Sequence, residues 1–157
     1  MKAIKPIETE YQGVLYRSRA EARRAVWFDF LRIDYRYEPE GFDFGNGLRY
    51  LPDFWLPEFG TWLEVKGKPP MLSEWRKATH LAQLAFGDVV IDWSDFSDHW
   101  LGNVRFWIDG NSVLWSKRDT EWLGIDWTLL RAANSAAKSA RFEHGAELWK
   151  LREGTAK

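Results

Sequence analysis

Two turn signals, Gly45-Asn46-Gly47 and Pro57-Glu58-Phe59-Gly60, divide the stretch 35–66 into three short apolar runs. Asn-Gly between such runs is a strong hairpin signal, because tight turns need positive φ, which Asn and Gly adopt with least strain. Runs joined by so few residues must lie antiparallel and side by side. The spacing therefore predicts extended segments over 35–44, 48–56 and 61–66, the first broken by Pro39 and Gly41. Gly67 and Pro69-Pro70 stop the third.

A helix is expected on each side of this meander. Ser18 reads as an N-cap with Glu21 three residues later, a capping-box pattern, and its helix runs over 18–31. Residues 13–16 before it read as a short strand. A second helix is expected over 73–86, followed by an apolar strand over 89–93. Because that strand is reached by a crossover, it should run parallel to one of its neighbours. Beyond it, 104–108 and 112–115 flank Asp109-Gly110-Asn111 as a second hairpin, and an Ala- and Ser-rich helix is expected over 127–142. The expected class is α/β, a mixed sheet flanked by helices. The 157 residues suit one domain, 1–157, with a core over 16–93, a C-terminal hairpin and helix over 100–145, and fraying over 150–157.

Composition narrows the setting. The 11 Trp and 10 Phe predict a large aromatic core, and Trp100, Trp107 and Trp115 should be buried if the second hairpin extends the sheet. With no Cys there is no disulfide and no thiolate zinc site, which suits a reducing, cytoplasmic setting. No apolar run approaches the ~18–20 residues that span a bilayer, and MKAIKPIETE lacks a signal-peptide core, so no membrane association is expected. The net charge of −1 gives no general affinity for polyanions, so any such affinity must rest on patches. Arg17, Arg19, Arg23 and Arg24 gather around the first helix, and Lys66, Lys68, Arg76 and Lys77 follow the third extended segment. Asp88, Asp92, Asp95, Asp98 and Asp109 make the middle acidic.

The chemically suggestive residues lie in 50–67, YLPDFWLPEFGTWLEVKG. Side chains two apart on a strand share a face, so Glu64 and Lys66 face one way while Leu63 and Val65 face the other. The meander sets the strand carrying Asp53 beside the strand carrying Glu64, within reach of one ion. Two carboxylates, a backbone carbonyl and waters make the oxygen-rich environment that Mg²⁺ or Mn²⁺ prefers. Such an ion lowers the pKa of a bound water and balances charge on a phosphate. The Lys66 ammonium can orient that water or stabilise the phosphate. The plainer alternative is a surface ion pair between Glu64 and Lys66, worth little.

Asp53, ten residues and then Glu64-Val65-Lys66 resembles the signature of the PD-(D/E)XK, or restriction-endonuclease-like, nuclease superfamily. The helix-strand-strand-strand-helix-strand order resembles its αβββαβ core. Four longer strings are similar to those of small phage and prophage nucleases of that superfamily: Ser18-Arg19-Ala20-Glu21-Ala22-Arg23, Tyr37-Glu38-Pro39-Glu40-Gly41-Phe42, Tyr50-Leu51-Pro52-Asp53-Phe54 and Trp62-Leu63-Glu64-Val65-Lys66-Gly67. The resemblance covers residues 16–93. It implies a Mg²⁺-dependent deoxyribonuclease, with Mn²⁺ as a substitute. Asp53, Glu64 and the Val65 carbonyl would hold the ion, and Lys66 would position or deprotonate the attacking water. It also implies that Glu21 reaches the metal or its waters from the first helix, whereas the capping box offers Glu21 a purely structural role. The implied partner is DNA, with a homodimer or a partner protein where two active sites act together. The implied setting is the cytoplasm of a bacterial or phage-infected cell. Junction resolvases and transposon-end nuclease subunits share the fold and motif, and a non-catalytic DNA-binding module on the same fold is the rival reading.

Phosphate contacts are then expected from Arg17, Arg19, Arg23 and Arg24 near the site. A second set is a stripe of Arg131, Asn134, Lys138 and Arg141 beside Ala132, Ala133, Ala136, Ala137 and Ala140 on the last helix. The alternative for both is a solvated helix face. His80 and Gln83 share a face of the second helix, where some relatives place a supporting glutamine. Trp55 and Trp62 lie close enough to the motif to stack on a base. Three His without Cys make no zinc pattern.

Overall fold

A computed structural model of the protein describes residues 5–84, 87–96, 102–117 and 121–142. Phe86, Asp98, Trp100 and the stretch 150–157, on which the sequence raises expectations, lie outside the described residues. The chain begins with a small hairpin of β1 (Thr9–Tyr11) and β2 (Val14–Tyr16), followed by helix α1 (Arg19–Leu31). Short strands β3 (Arg36–Tyr37), β4 (Phe42–Asp43), β5 (Arg49–Tyr50) and β6 (Phe54–Leu56) lead to β7 (Thr61–Val65). Helix α2 (Leu72–Leu84) crosses to β8 (Asp88–Asp92). Then come the β9 (Asn103–Asp109) and β10 (Ser112–Lys117) hairpin and helix α3 (Trp127–Ser139).

The class is α/β with a mixed sheet. Six strands run in the order β10-β9-β8-β7-β6-β3. β7 and β8, the pair joined through α2, are parallel, and the other neighbours are antiparallel. That is the consequence expected of a crossover connection.

The expected meander is present, but its first two segments are each split in two. β3 pairs with β6, while β4 and β5 form a separate ribbon closed by Gly45-Asn46-Gly47. In that turn φ is 82°, 52° and 76°, and the Phe44 N–H donates to the Leu48 carbonyl at 2.9 Å. The break has local causes. Glu38 sits at φ 44°, ahead of Pro39, and Pro52 on the opposing segment has no N–H to donate.

Two cores sandwich the sheet. On one side α1 and α3 bury Trp27, Phe28, Leu130, Ala133 and Ala137 against Phe54, Leu63 and Val90. The alanines let α3 approach α1 closely. On the other side α2 buries Ala78, Leu81 and Ala82 against Trp62, Val89, Ile91 and Phe106. Phe54 is fully buried and meets the rings of Tyr16, Phe28, Tyr35 and Tyr37 at centroid distances of 6.2, 5.2, 5.7 and 5.4 Å. Its truncation to Ala would cost about 3–5 kcal/mol, and the packed ring fixes the position of its neighbour Asp53.

The second hairpin does extend the sheet, through β9 against β8. The expected burial of its Trp residues does not follow. Trp107 is half-buried and Trp115 is 55% exposed. Trp115 lies on the edge strand, where its ring meets the edge of Trp75 at 5.2 Å. An edge position lacks the neighbouring strand whose side chains would cover it.

Candidate active site at the carboxyl end of the parallel strands

β7 and β8 end together, and the Lys66 N–H donates to the Asp92 carbonyl at 2.7 Å, one residue beyond the last strand pair. In α/β sheets this carboxyl end is where ligands are usually held. The β6–β7 register pairs Phe54 with Leu63, so one step further Asp53 stands opposite Glu64. There the Asp53 carboxylate replaces a strand partner: its Oδ2 accepts the Val65 N–H at 2.7 Å. The Asp53 carbonyl in turn accepts the Glu38 N–H at 2.8 Å, which ties the kink at Glu38 to the site.

Burial is the largest influence on Asp53 and pushes its pKa well above the ordinary value, with the Glu21 carboxylate acting in the same direction. The Val65 N–H opposes this, Glu64 adds to it, and Lys66 opposes it. Glu21, Asp53, Glu64 and Lys66 thus act on one another across a single site, although they come from three separate elements. Excess negative charge gathered around a buried carboxyl group favours a proton or a cation there.

Lys66 forms an ion pair with Glu64 Oε1 and a second with Glu74 Oε1 at 3.2 Å. The Glu64–Lys66 pair is therefore real, but it is not a surface pair, since Glu64 is buried and Lys66 is largely covered. Burial alone would lower the Lys66 pKa, yet the two carboxylates outweigh it and hold the value above the ordinary one. Lys66 is an ammonium at neutral pH. Burial would raise Glu74, but the Met71 N–H, at 2.7 Å, and Lys66 hold it below its usual value.

Glu21 serves the helix cap as well as the site. Its N–H donates to Ser18 Oγ at 3.1 Å, and Ser18 Oγ donates back to Glu21 Oε1 at 2.8 Å. Glu21 Oε2 accepts the Tyr37 hydroxyl at 2.5 Å and the Arg17 N–H at 3.3 Å. Burial, and then this bond to Glu21, pushes the Tyr37 phenol far up. The same side chain that caps the helix also acts through its charge on Asp53.

Beside the site Arg24 and Asp92 form a pair at 2.5 Å, each side chain 1% exposed. Arg24 also donates to Ser94 Oγ at 3.0 Å and lies over the rings of Trp27 and Phe96 at 4.8 and 4.4 Å. Arg24 therefore cannot meet a phosphate, contrary to the sequence expectation: helical spacing points it inward, where it fastens α1 to the end of β8. Of the other expected cations, Arg17 is exposed and paired with Glu38 at 2.8 Å. Arg19 and Arg23 on α1 join Arg141, just past the end of α3, in lining a surface cavity of about 170 Å³ with Ala140 and Phe142. Arg131 and Lys138 are exposed elsewhere on α3. The stripe on that helix is interrupted, because Asn134 is buried and accepts the Trp27 indole N–H at 2.8 Å.

Trp62 is 5% exposed and packs on Trp55 at 4.6 Å, so it belongs to the core and cannot stack on a base. Gln83 lines a cavity with Gly60 and Asp88 at the amino end of β7 and β8, the end away from Asp53 and Glu64. His80 is exposed and stacks on Phe44 at 5.5 Å.

Three residues of the site escaped the sequence reading: Tyr37, Glu74 and Tyr50. Tyr50 is 6% exposed and stands three residues before Asp53, a position that gave it no separate signal. Burial pushes its phenol well up, and the facing Glu64 carboxylate adds to this. Glu74 reaches Lys66 because the first turn of α2 folds back over the end of β7, which no local spacing announces.

Among the described residues no three His, Cys, Asp or Glu side chains form a ready-made metal cage. The donors at hand, two carboxylates and a strand-end carbonyl, are those of a cation that keeps several waters and shares its shell with a substrate. That is the habit of Mg²⁺. The chain matches no family model, no curated protein and no solved structure.

Proposed function

We propose that this protein is a Mg²⁺-dependent DNA nuclease of the restriction-endonuclease-like type, hydrolysing phosphodiester bonds at the site of Asp53, Glu64 and Lys66. The observation that carries this reading is the convergence of these three side chains, with Glu21, at the carboxyl end of the parallel strand pair. The order α1, split meander, α2, β8, with β7 and β8 parallel, supports the finer fold assignment.

In this reading Asp53, Glu64 and the Val65 carbonyl hold Mg²⁺, or Mn²⁺ in its place, and Glu21 supports the shell through Tyr37 and its charge on Asp53. The ion, when bound, supplies an acidified water and charge balance for the phosphate. The residues of the chain do the rest. The Val65 N–H fixes one Asp53 oxygen, which leaves the other to face the ion. Glu64 and Glu74 keep Lys66 charged and aimed at the site. Of the two roles expected for Lys66, this supports orienting the water and stabilising the phosphate as a cation, and not removing a proton. Arg19, Arg23 and Arg141 offer a place for a backbone phosphate in the cavity they line. A plasmid assay tests the proposal: nicking or linearisation with Mg²⁺ that stops with EDTA is expected, and no cleavage of supercoiled, linear, single-stranded or junction DNA under any divalent cation would overturn it.

A further inference from the structure

Tyr50 closes β5, paired across the ribbon with Phe42, and packs with Trp62 on the α2 side of the sheet. Glu64 lies two residues from Trp62 and so faces the same side. The Tyr50 hydroxyl is buried and makes no hydrogen bond of good geometry, although the Glu64 carboxylate lies near enough to act on it as a weak acceptor. A buried O–H without a well-formed hydrogen bond is unfavourable, and a phenylalanine would fill the same space without that penalty. The groups that act on this phenol are all acceptors, Glu64 first, then Asp53 and Glu74. One oxygen of Glu64 is already held by Lys66. A buried donor without a well-formed hydrogen bond thus lies near a carboxylate that the proposed function makes a metal ligand.

We infer that Tyr50 is a positioning residue of this site, whose hydroxyl closes on the Glu64 oxygen not held by Lys66 when a divalent cation is bound. The inference rests on the reading of Asp53 and Glu64 as cation ligands. Donors that orient metal-binding carboxylates are worth roughly 10–100-fold in metal affinity. The hydroxyl would fix which Glu64 oxygen faces the ion, so that Lys66 need not move to let the ion in.

The test is Tyr50→Phe, measured by Mn²⁺ titration calorimetry on the full chain and by thermal melting in EDTA. Mn²⁺ is expected to bind about tenfold more weakly, while the melting temperature in EDTA stays equal to wild type or rises. The Mg²⁺ concentration giving half-maximal cleavage should rise in step, with the rate at saturating Mg²⁺ kept. Unchanged Mn²⁺ affinity in Tyr50→Phe, with wild type binding normally, overturns this inference alone. A clear loss of stability in EDTA also overturns it, since the hydroxyl would then serve the unliganded fold. Failure of wild type itself to bind Mn²⁺ overturns the site reading and this inference together.

Discussion

The Asp53 carboxylate accepts the backbone N–H of Val65 at 2.7 Å, in the place where the next rung of the β6–β7 ladder would otherwise form. A side chain has taken over a main-chain bond. The strands separate there without leaving the Val65 N–H unpaired, and Asp53 is brought opposite Glu64.

This relationship makes Asp53 structural as well as chemical, and the two roles separate by substitution. Asp53→Asn retains an oxygen for the Val65 N–H and should unfold cooperatively at or above the wild-type midpoint. Its Mg²⁺-dependent cleavage should fall by roughly 10²–10³-fold, the scale of losing one group that stabilises charge in the reaction. Lys66→Ala should lose cleavage on the same scale, with some loss of stability because Glu64 is left buried without its cation. Full cleavage by either purified variant in a plasmid assay would reject the assignment.

The raised pKa of Asp53 carries a pH signature. The folded-state pKa of Asp53 lies above its unfolded value, so the folded state binds the proton more tightly. Stability of the protein in EDTA should then fall as pH rises from the unfolded value through the folded one, and be regained on acidification. Asp53→Asn should be more stable than wild type in EDTA at pH 8, by roughly 0.5–2 kcal/mol, with the gap closing toward pH 4. Urea melts at the two pH values decide it, and a gap that grows on acidification would contradict the burial argument.

Ser18 and Glu21 share a cap, yet their loss should read differently. Ser18→Ala removes the acceptor for the Glu21 N–H and should cost about 1 kcal/mol with cleavage little changed. Glu21→Gln keeps an oxygen for the Tyr37 hydroxyl and the Arg17 N–H and presents an amide N–H to Ser18 Oγ in place of the other oxygen, but removes the charge that acts on Asp53. It should stay within about 0.5 kcal/mol of wild-type stability and lose most of its cleavage. Equal cleavage by Glu21→Gln and wild type would leave Glu21 with the cap alone.

Arg24 and Asp92 are buried together, so the pair is an anchor and cannot serve as a phosphate contact. Arg24→Ala leaves a buried carboxylate uncompensated and should destabilise by about 3–5 kcal/mol. Arg24→Ala paired with Asp92→Asn should recover part of that loss. Denaturant unfolding of the single and double variants provides the cycle, and a single-variant loss under 1 kcal/mol would show the pair to be solvated.

Arg19, Arg23 and Arg141 line one cavity, whereas Arg131 and Lys138 stand apart from it. Replacing a cavity arginine by Gln should weaken DNA binding across all sequences and reduce the salt slope by about 1. Lys138→Gln should change neither. Fluorescence anisotropy over a salt series separates the cases, and identical slopes for all variants would remove the cavity from the interface.

Local pattern made much of this legible. The α/β class, the turn at Gly45-Asn46-Gly47, the cap at Ser18, the crossover that makes β8 parallel to β7 and the hairpin that widens the sheet all follow from periodicity and turn chemistry. The spacing of Asp53, Glu64 and Lys66 was legible too, because residues on neighbouring hairpin strands are close in sequence. The splitting of the meander was not, because Glu38 adopts φ 44° only where Arg17 and the Asp53 carbonyl hold it.

The sequence by itself determined which residues can form helix, strand and turn, since those choices rest on backbone sterics and on which side of an element is apolar. Tertiary structure decided which charges became partners. Arg24 turned inward to Asp92 while Arg23 came to line a surface cavity, Glu74 folded over Lys66, and the Tyr50 hydroxyl was buried near Glu64. The energy of a charge or a hydroxyl depends on the burial and the neighbours it finds. Those are set by elements that meet from distant parts of the chain.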